Sequence, residues 1–325
     1  MKGLKLFAAL AALVVAMAGL ARAEDWPARP VTFVVPFGAG GITDTLARKI
    51  AVVLTEKFGQ PFVVENRPGA GGIVGTESVA NAKPDGYTIL YASGGPMSIL
   101  PPLQKGKLSY DPIEAFIHVR GVSASSQMIV ANPNTPYDTI EELVAYAKAN
   151  PGKVNFGSPG IGTAQHLVGE LLASVADFEM THIPYKAGTA QMVDLMSGVI
   201  DLSFDYVSVV KPYVDAGKMK VIGTTSPDRV VAFPDAGTVV EAGFPNAVNI
   251  ASSWVSVPAG VDPAIVEKLS MAVGEALRDP AVLASFEAAG LISIGDKGPE
   301  EMRQFVIDEN AKYARVIEAA GITPQ

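Results

Sequence analysis

Short apolar runs rich in β-branched and aromatic residues alternate along this chain with longer stretches whose apolar positions recur every three or four residues. Val31–Val35 reads as a buried strand. Ile42, Leu46, Ile50, Val53, Leu54 and Phe58 then mark one face of a helix. Between them Pro36 ends the strand, and Phe37-Gly38-Ala39-Gly40-Gly41-Ile42-Thr43-Asp44 leads into the helix, with Thr43 or Asp44 as its cap. The same succession returns with a strand over 62–65, the loop 67–72 and a helix to about residue 82, and a third strand over 87–92 runs into Ser93-Gly94-Gly95. GAGGI occurs at both glycine loops, starting at Gly38 and Gly69.

The stretch 100–112 shows neither period and reads as loop. Strands are expected near 115–122 and 127–131, and a helix over 139–149. A fresh series opens with a strand at 154–157, the loop Ser158-Pro159-Gly160-Ile161-Gly162-Thr163 and a helix over 164–176. Strands near 181–184, 201–204 and 220–224 alternate with helices near 189–197 and 207–215. A return strand at 254–257 and helices over 263–278, 280–289 and 300–320 close the chain.

Strands alternating with helices imply an α/β fold with mostly parallel sheets covered on both faces. Two such lobes bind ligands at the carboxyl ends of their strands, where every glycine loop falls. Crossovers near 123–127 and 248–253 would divide the chain into a discontinuous first lobe, 24–125 plus 251–325, and a second lobe, 126–250, with two linkers as a hinge.

The first residues stand apart. Lys2 and Lys5 precede an apolar run over 6–20, and Ala21-Arg22-Ala23 ends in a small-x-small pattern. This is the form of an export signal cut after Ala23, and its core is shorter than the roughly 20 residues a membrane span needs. The remaining 302 residues suffice for two domains, and loss of Lys2, Lys5 and Arg22 takes the formal charge from −8 to −11. That charge argues against nucleic acid or an anionic membrane surface as partner. Absence of cysteine removes disulfides and thiolate metal sites and suits an oxidising compartment, which with the signal points to a periplasm.

Site motifs narrow the chemistry further. No lysine stands in the glycine loops, which excludes the Walker pattern, and Thr43 and Val74 occupy the place of the third glycine of a dinucleotide fingerprint. His118, His166 and His182 lack metal-ligand spacing, and His166 with Glu170 reads as a packing pair at i, i+4. Ser208-x-x-Lys211 matches a nucleophile pattern by letter only. Neither cofactor, metal nor catalytic residue is expected. What remains is a set of main-chain and hydroxyl donors at strand-to-helix junctions, in 37–43, in 69–72 including Gly71, at Ser93 and Gly94, and in 158–163. Such donors suit a carboxylate. Asp205, just past a strand, offers an acceptor to the ligand or a cap to the next helix.

VPFGAGGITDTLAR, VENRPGAGGIVG, KPDGYTIL, SPGIGTAQHLVGELL, IPYKAGTAQMVDLMSGVIDLSFD and VPAGVDPAIVEKL together resemble the Bug-type, or tripartite tricarboxylate transporter, periplasmic solute-binding proteins. The resemblance spans nearly the whole mature chain. It implies a two-lobed receptor, expected as a monomer, that closes on a small organic acid between Phe37 to Asp44 and Ser158 to Thr163, with His166, Asp205 and Tyr206 beside them, and delivers it to a membrane permease. Gly38 and Ile42 depart from the pattern of many relatives, as does Tyr206 where asparagine commonly follows the aspartate. Ile42, Ile161 and Tyr206 make the ligand's far end more apolar, favouring an aromatic or otherwise apolar carboxylate over citrate. A sensing adaptor for a membrane kinase would use the same cleft, and a periplasmic hydrolase would need Ser208.

Overall fold

A computed structural model describes residues 26–161, 163–185, 188–319 and 321–322. The expected export signal and Gly162 lie outside them.

Strand β1 (Val31–Val35) is buried along most of its length and lies between β2 (Phe62–Asn66) and β3 (Thr88–Ser93), parallel to both. Helix α1 (Ile42–Phe58) follows β1 and packs Leu46, Ile50 and Leu54 into the core beneath Phe33 and Tyr91. After β2, a 3-10 turn over Ala70–Gly72 leads into α2 (Ile73–Ala80). The loop expected over 100–112 begins instead as helix. A π-helical turn, Gly95–Ile99, runs into α3 (Leu100–Leu103). Pro101 and Pro102 obscure this in the sequence, yet they fall near the end of the helical run that begins at Gly95.

Two expected strands, 115–122 and 127–131, are one. β4 (Phe116–Ala131) runs unbroken for 16 residues. Its polar middle, Ser123-Ala124-Ser125-Ser126, still pairs with β9 (Ile250–Pro258), so backbone hydrogen bonds carry the strand where hydrophobic patterning lapses. At Gln127 the partners change. From there β4 pairs with β7 (Leu202–Tyr206) and β8 (Lys220–Thr224). The second half continues with α4 (Ile140–Ala149), β5 (Asn155–Ser158), α5 (Ala164–Ala176), β6 (Thr181–Pro184), α6 (Gly188–Ser197) and α7 (Val207–Asp215). After β9 come α8 (Pro263–Ala276), α9 (Pro280–Ala289), the two-residue strand β10 (Ile292–Ser293) and α10 (Pro299–Ala319).

The strand order β2-β1-β3-β9-β4-β7-β5-β6 makes a two-lobed α/β fold. Its parallel pairs are confined to the outer strands of each half, β1 with β2 and β3, and β5 with β6 and β7. The crossover strands β4 and β9 pair antiparallel with every neighbour, because each returns the chain across the middle of the sheet. Separate cores form under α1, α8 and α9 in the first half and under α4 and α5 in the second.

Helix α10 ties the halves together. Met302 and Val306 pack with Trp254 in a first-half cluster, while Tyr313 and Ile317 share another with Leu167 of α5 and with Ile99 and Leu103. Beside that cluster lies a buried polar hub. Tyr313 Oη donates to Asn249 Oδ1 at 2.7 Å, and Asn249 Nδ2 donates to Gln127 Oε1 at 3.0 Å. Thr225 Oγ1 accepts the Gln127 N–H at 3.0 Å and lies 2.8 Å from the Asn249 carbonyl. The hub thus joins β4, the start of β9 and α10.

Candidate functional site

The first glycine loop is held from below by Asp44. Gly41 is the helix N-cap and carries no side-chain cap, so neither Thr43 nor Asp44 takes the capping place expected of them. Asp44 sits three residues further on and reaches back, its Oδ2 accepting the Gly40 N–H at 2.9 Å. Arg48 Nε donates to the same oxygen at 3.1 Å, and Asn66 Nδ2 donates to Oδ1 at 2.9 Å. Arg48 beside it, more than the Gly40 and Asn66 donors, holds the carboxyl down at about 2 against the opposing effect of burial. Asn66 Nδ2 also serves the Phe37 carbonyl at 3.1 Å. Asp44 is therefore ionised, buried and committed to the loop itself. Gly40 takes φ +83°, a backbone angle that glycine supplies at little cost.

Among the described residues the amides of Gly41, Ile42 and Thr43 have no internal acceptor, as the first turn of a helix dictates. Gly38, Ala39, Gly40 and Gly41 are exposed.

The second loop follows the same logic with other residues. Thr163 caps α5, accepting the His166 N–H at 3.3 Å and donating its own proton to the Gly160 carbonyl at 2.8 Å. Ser158 Oγ lies 2.9 Å from that carbonyl and accepts the Gly160 N–H at 3.2 Å. Gly160 is thus turned inward at both of its polar atoms. Among the described residues, the amides of Ala164 and Gln165 remain open. Asp205 accepts the Tyr206 N–H at 2.8 Å, and burial raises its carboxyl above the usual range while Tyr206 and Gln165 work the other way. This bond runs to the adjacent amide, and Asp205 makes no cap for α7, whose N-cap is Tyr206. Gln165 brings Asp205 beside the open end of α5.

A line of contacts joins the two loops. A Cβ on Gly72 would lie 3.2 Å from the Phe37 ring and 3.2 Å from Pro96, and one on Gly71 would lie 3.1 Å from Leu100. Leu100 and Ala164 both pack against the cluster of Ile99, Leu103 and Leu167. Ser93 and Gly94 stand at the end of β3 just before Pro96, and Ser93 Oγ is buried without a partner among the described residues. Tyr206 pairs with Gln127 of β4 and interacts with Tyr313, and burial, then Asp205, pushes its hydroxyl up to about 12.

His166 and His182 are far apart in sequence but stack face to face, ring centroids 3.8 Å apart. Among the described residues no group of three His, Asp or Glu is placed to hold a metal ion. Lys211 Nζ is bonded to Asp215 at 3.0 Å, which leaves it an ion-pair partner where a serine nucleophile would need a base. Two grooves of about 800 and about 520 Å³ lie around Lys148 and Asp177, where Ala319 of α10 also lines the wall, and around Arg229 and Phe233, away from the glycine loops. Spacing and composition marked the loops, but gave no sign of Asn66, Arg48, Leu167, Tyr313 or His182, whose roles depend on elements distant in sequence.

Two strand-end loops with open helix amides, joined across a two-strand hinge, define a two-lobed solute-binding receptor. The model described as the tripartite tricarboxylate transporter family receptor matches residues 46–322, and the chain belongs to that family. It is 35% identical over 323 residues to Protein BugT of Bordetella pertussis, covering 96% of this chain and 97% of that one. Solved relatives include Rpa4515 of R. palustris with adipate, at 31% identity and TM-score 0.75, covering 93% of this chain and 100% of that one. MatC from Rhodopseudomonas palustris with bound malate aligns at 29% identity and TM-score 0.71, covering 90% and 100%. Among the described residues no helix is long and apolar enough to cross a membrane.

Proposed function

We propose that this protein captures a small organic carboxylate between its two glycine loops and hands it to a membrane permease, without transforming it. The observation that carries this is the pair of helix starts, Ile42-Thr43 and Ala164-Gln165, whose amides are open among the described residues, in loops that contain no cationic side chain. Main-chain donors and the partial positive charge of each helix start suit a carboxylate. The adipate and malate in the two solved relatives support the same class of guest.

On this reading Gly41, Ile42, Thr43, Ala164 and Gln165 contact the acid, while Asp44, Ser158 and Thr163 hold the loops in shape. Ile42 and Ile161 are 45% and 41% exposed, large apolar side chains left uncovered at the two loops. They favour a guest with an apolar portion. The lobes are 24–125 plus 251–325 and 126–250, and they close about the strands near Ser126 and Ile250. The chain is exported, its signal cut after Ala23, and acts in the periplasm.

A thermal-shift screen of mono- and dicarboxylates tests the assignment. A true ligand at about 100 times its dissociation constant adds roughly 2.7 kcal/mol to unfolding stability. If sugars or cations raise the melting temperature and no acid does, the carboxylate reading fails.

A further inference from the structure

The second loop gathers its polar atoms around one hydroxyl. Besides its two contacts with Gly160, Ser158 Oγ lies 2.7 Å from His182 Nε2 on the adjacent strand β6. Ser158 is fully buried and has a single proton, so these three contacts must divide donor and acceptor roles. When the hydroxyl proton serves the Gly160 carbonyl, the imidazole must be the donor. The ring cannot easily turn away from that task. One face lies on His166, with planes 18° apart, and Phe156 packs against it at 4.9 Å between centroids.

We propose that His182 is a positioning residue for the ligand loop, its Nε2–H donating to Ser158 Oγ and the Ser158 hydroxyl donating in turn to the Gly160 carbonyl. This rests on the reading of the loop and of Ala164-Gln165 as one grip on the acid. A carbonyl oxygen turned toward a carboxylate would set acceptor against acceptor. The relay keeps that oxygen inside, where Thr163 Oγ1 also donates to it at 2.8 Å. The other titratable groups facing the ring are His166 and, through it, Glu170, whose carboxylate lies 3.6 Å from His166 Nε2. Burial, then the neighbouring His166, holds the His182 ring down at about 3, so it is neutral with one proton to place at ordinary pH.

Imidazole nitrogen NMR of the full chain, which has three histidines, tests this without any substitution. The expected result is a neutral His182 with its proton on Nε2 across roughly pH 5 to 8. A proton on Nδ1, or titration within that window, overturns the proposal. Hydrogen exchange then compares His182→Phe, which keeps a ring against Phe156 and His166 but has no donor, with His182→Gln, which restores one. Exchange of the Gly160 and Thr163 amides, which are bonded to Ser158 Oγ and to the Gly160 carbonyl, should rise roughly tenfold in His182→Phe and return to within about twofold of the parent in His182→Gln. No rise in His182→Phe, or equal behaviour of the two variants, overturns it. Both readouts are taken without ligand, so their failure is distinct from failure of the carboxylate reading.

Discussion

Asn66 at the end of β2 donates to Asp44 Oδ1 at 2.9 Å and, through the same nitrogen, to the Phe37 carbonyl at 3.1 Å. One side-chain amide therefore holds both the entrance of the first glycine loop and the carboxylate that pins its middle. Asn66→Ala removes both bonds, and also the 2.9 Å bond from Arg48 Nη2 to Asn66 Oδ1, leaving Asp44 with Gly40 and a less restrained Arg48. It should lower stability by about 1 to 2 kcal/mol and weaken acid binding by roughly tenfold, measured by denaturation and calorimetry. Unchanged affinity with the full stability loss would show that the loop's shape does not govern binding.

The two threonines of the site should behave differently. Thr43 has no hydrogen-bond partner for its hydroxyl among the described residues, whereas Thr163 uses its hydroxyl as helix cap and as donor to Gly160. Thr43→Ala is expected to weaken binding with little change in melting temperature. Thr163→Val should cost about 1 kcal/mol of stability as well, and Thr163→Ser should recover it. Matching melting temperatures for Thr43→Ala and Thr163→Val would contradict this division.

Acid should destabilise the fold through His118. Trp254 Nε1–H donates to His118 Nδ1 at 3.0 Å, which fixes that nitrogen as an acceptor. Burial is the main cause that brings this imidazole down to about 4, from an ordinary 6.5. The unfolded chain then binds the proton that the native state refuses, so the stabilisation is full above pH 6.5 and is lost as pH falls toward 4. The loss over that window is about 3 kcal/mol for this group. His118→Phe should make the stability profile shallower between those values, leaving the slope that the buried His182 contributes, and an unchanged slope would contradict the assignment.

Tyr313 joins the last helix to the hinge. Tyr313→Phe removes the donor at 2.7 Å from Asn249 Oδ1 and leaves that buried oxygen to Lys312 Nζ at 3.4 Å. A loss of about 1 kcal/mol is expected, with faster amide exchange in the second half of α10 and little change near Met302. Uniform acceleration along the helix would show that it is held as a single unit.

Much of this architecture was legible because local patterning reports it directly. The β-branched run of β1, the periodic face of α1 and the glycines after each strand required no tertiary knowledge. The sequence misled where another part of the chain decides. Ser123 to Ser126 looked like a break, but β9 supplies the hydrogen bonds that carry β4 through it. Pro101 and Pro102 looked like loop because proline ordinarily breaks a helix, yet the helical run from Gly95 carries on through them to Leu103. In the site, Asp44 was visible as an acid at a helix start, while its actual bonds need Asn66 from a separate strand. His182 was invisible for the same reason. Its partners Ser158 and His166 meet it only after β5 and β6 pair.

The shared grip of the two loops is decided by a crystal structure with a thermal-shift-positive acid bound. One carboxylate should be enclosed by both loops, its oxygens within about 2.7 to 3.2 Å of amide nitrogens from Ile42-Thr43 and from Ala164-Gln165. An acid seated instead in the groove beside Lys148, or held by one loop while the other faces solvent, would contradict it.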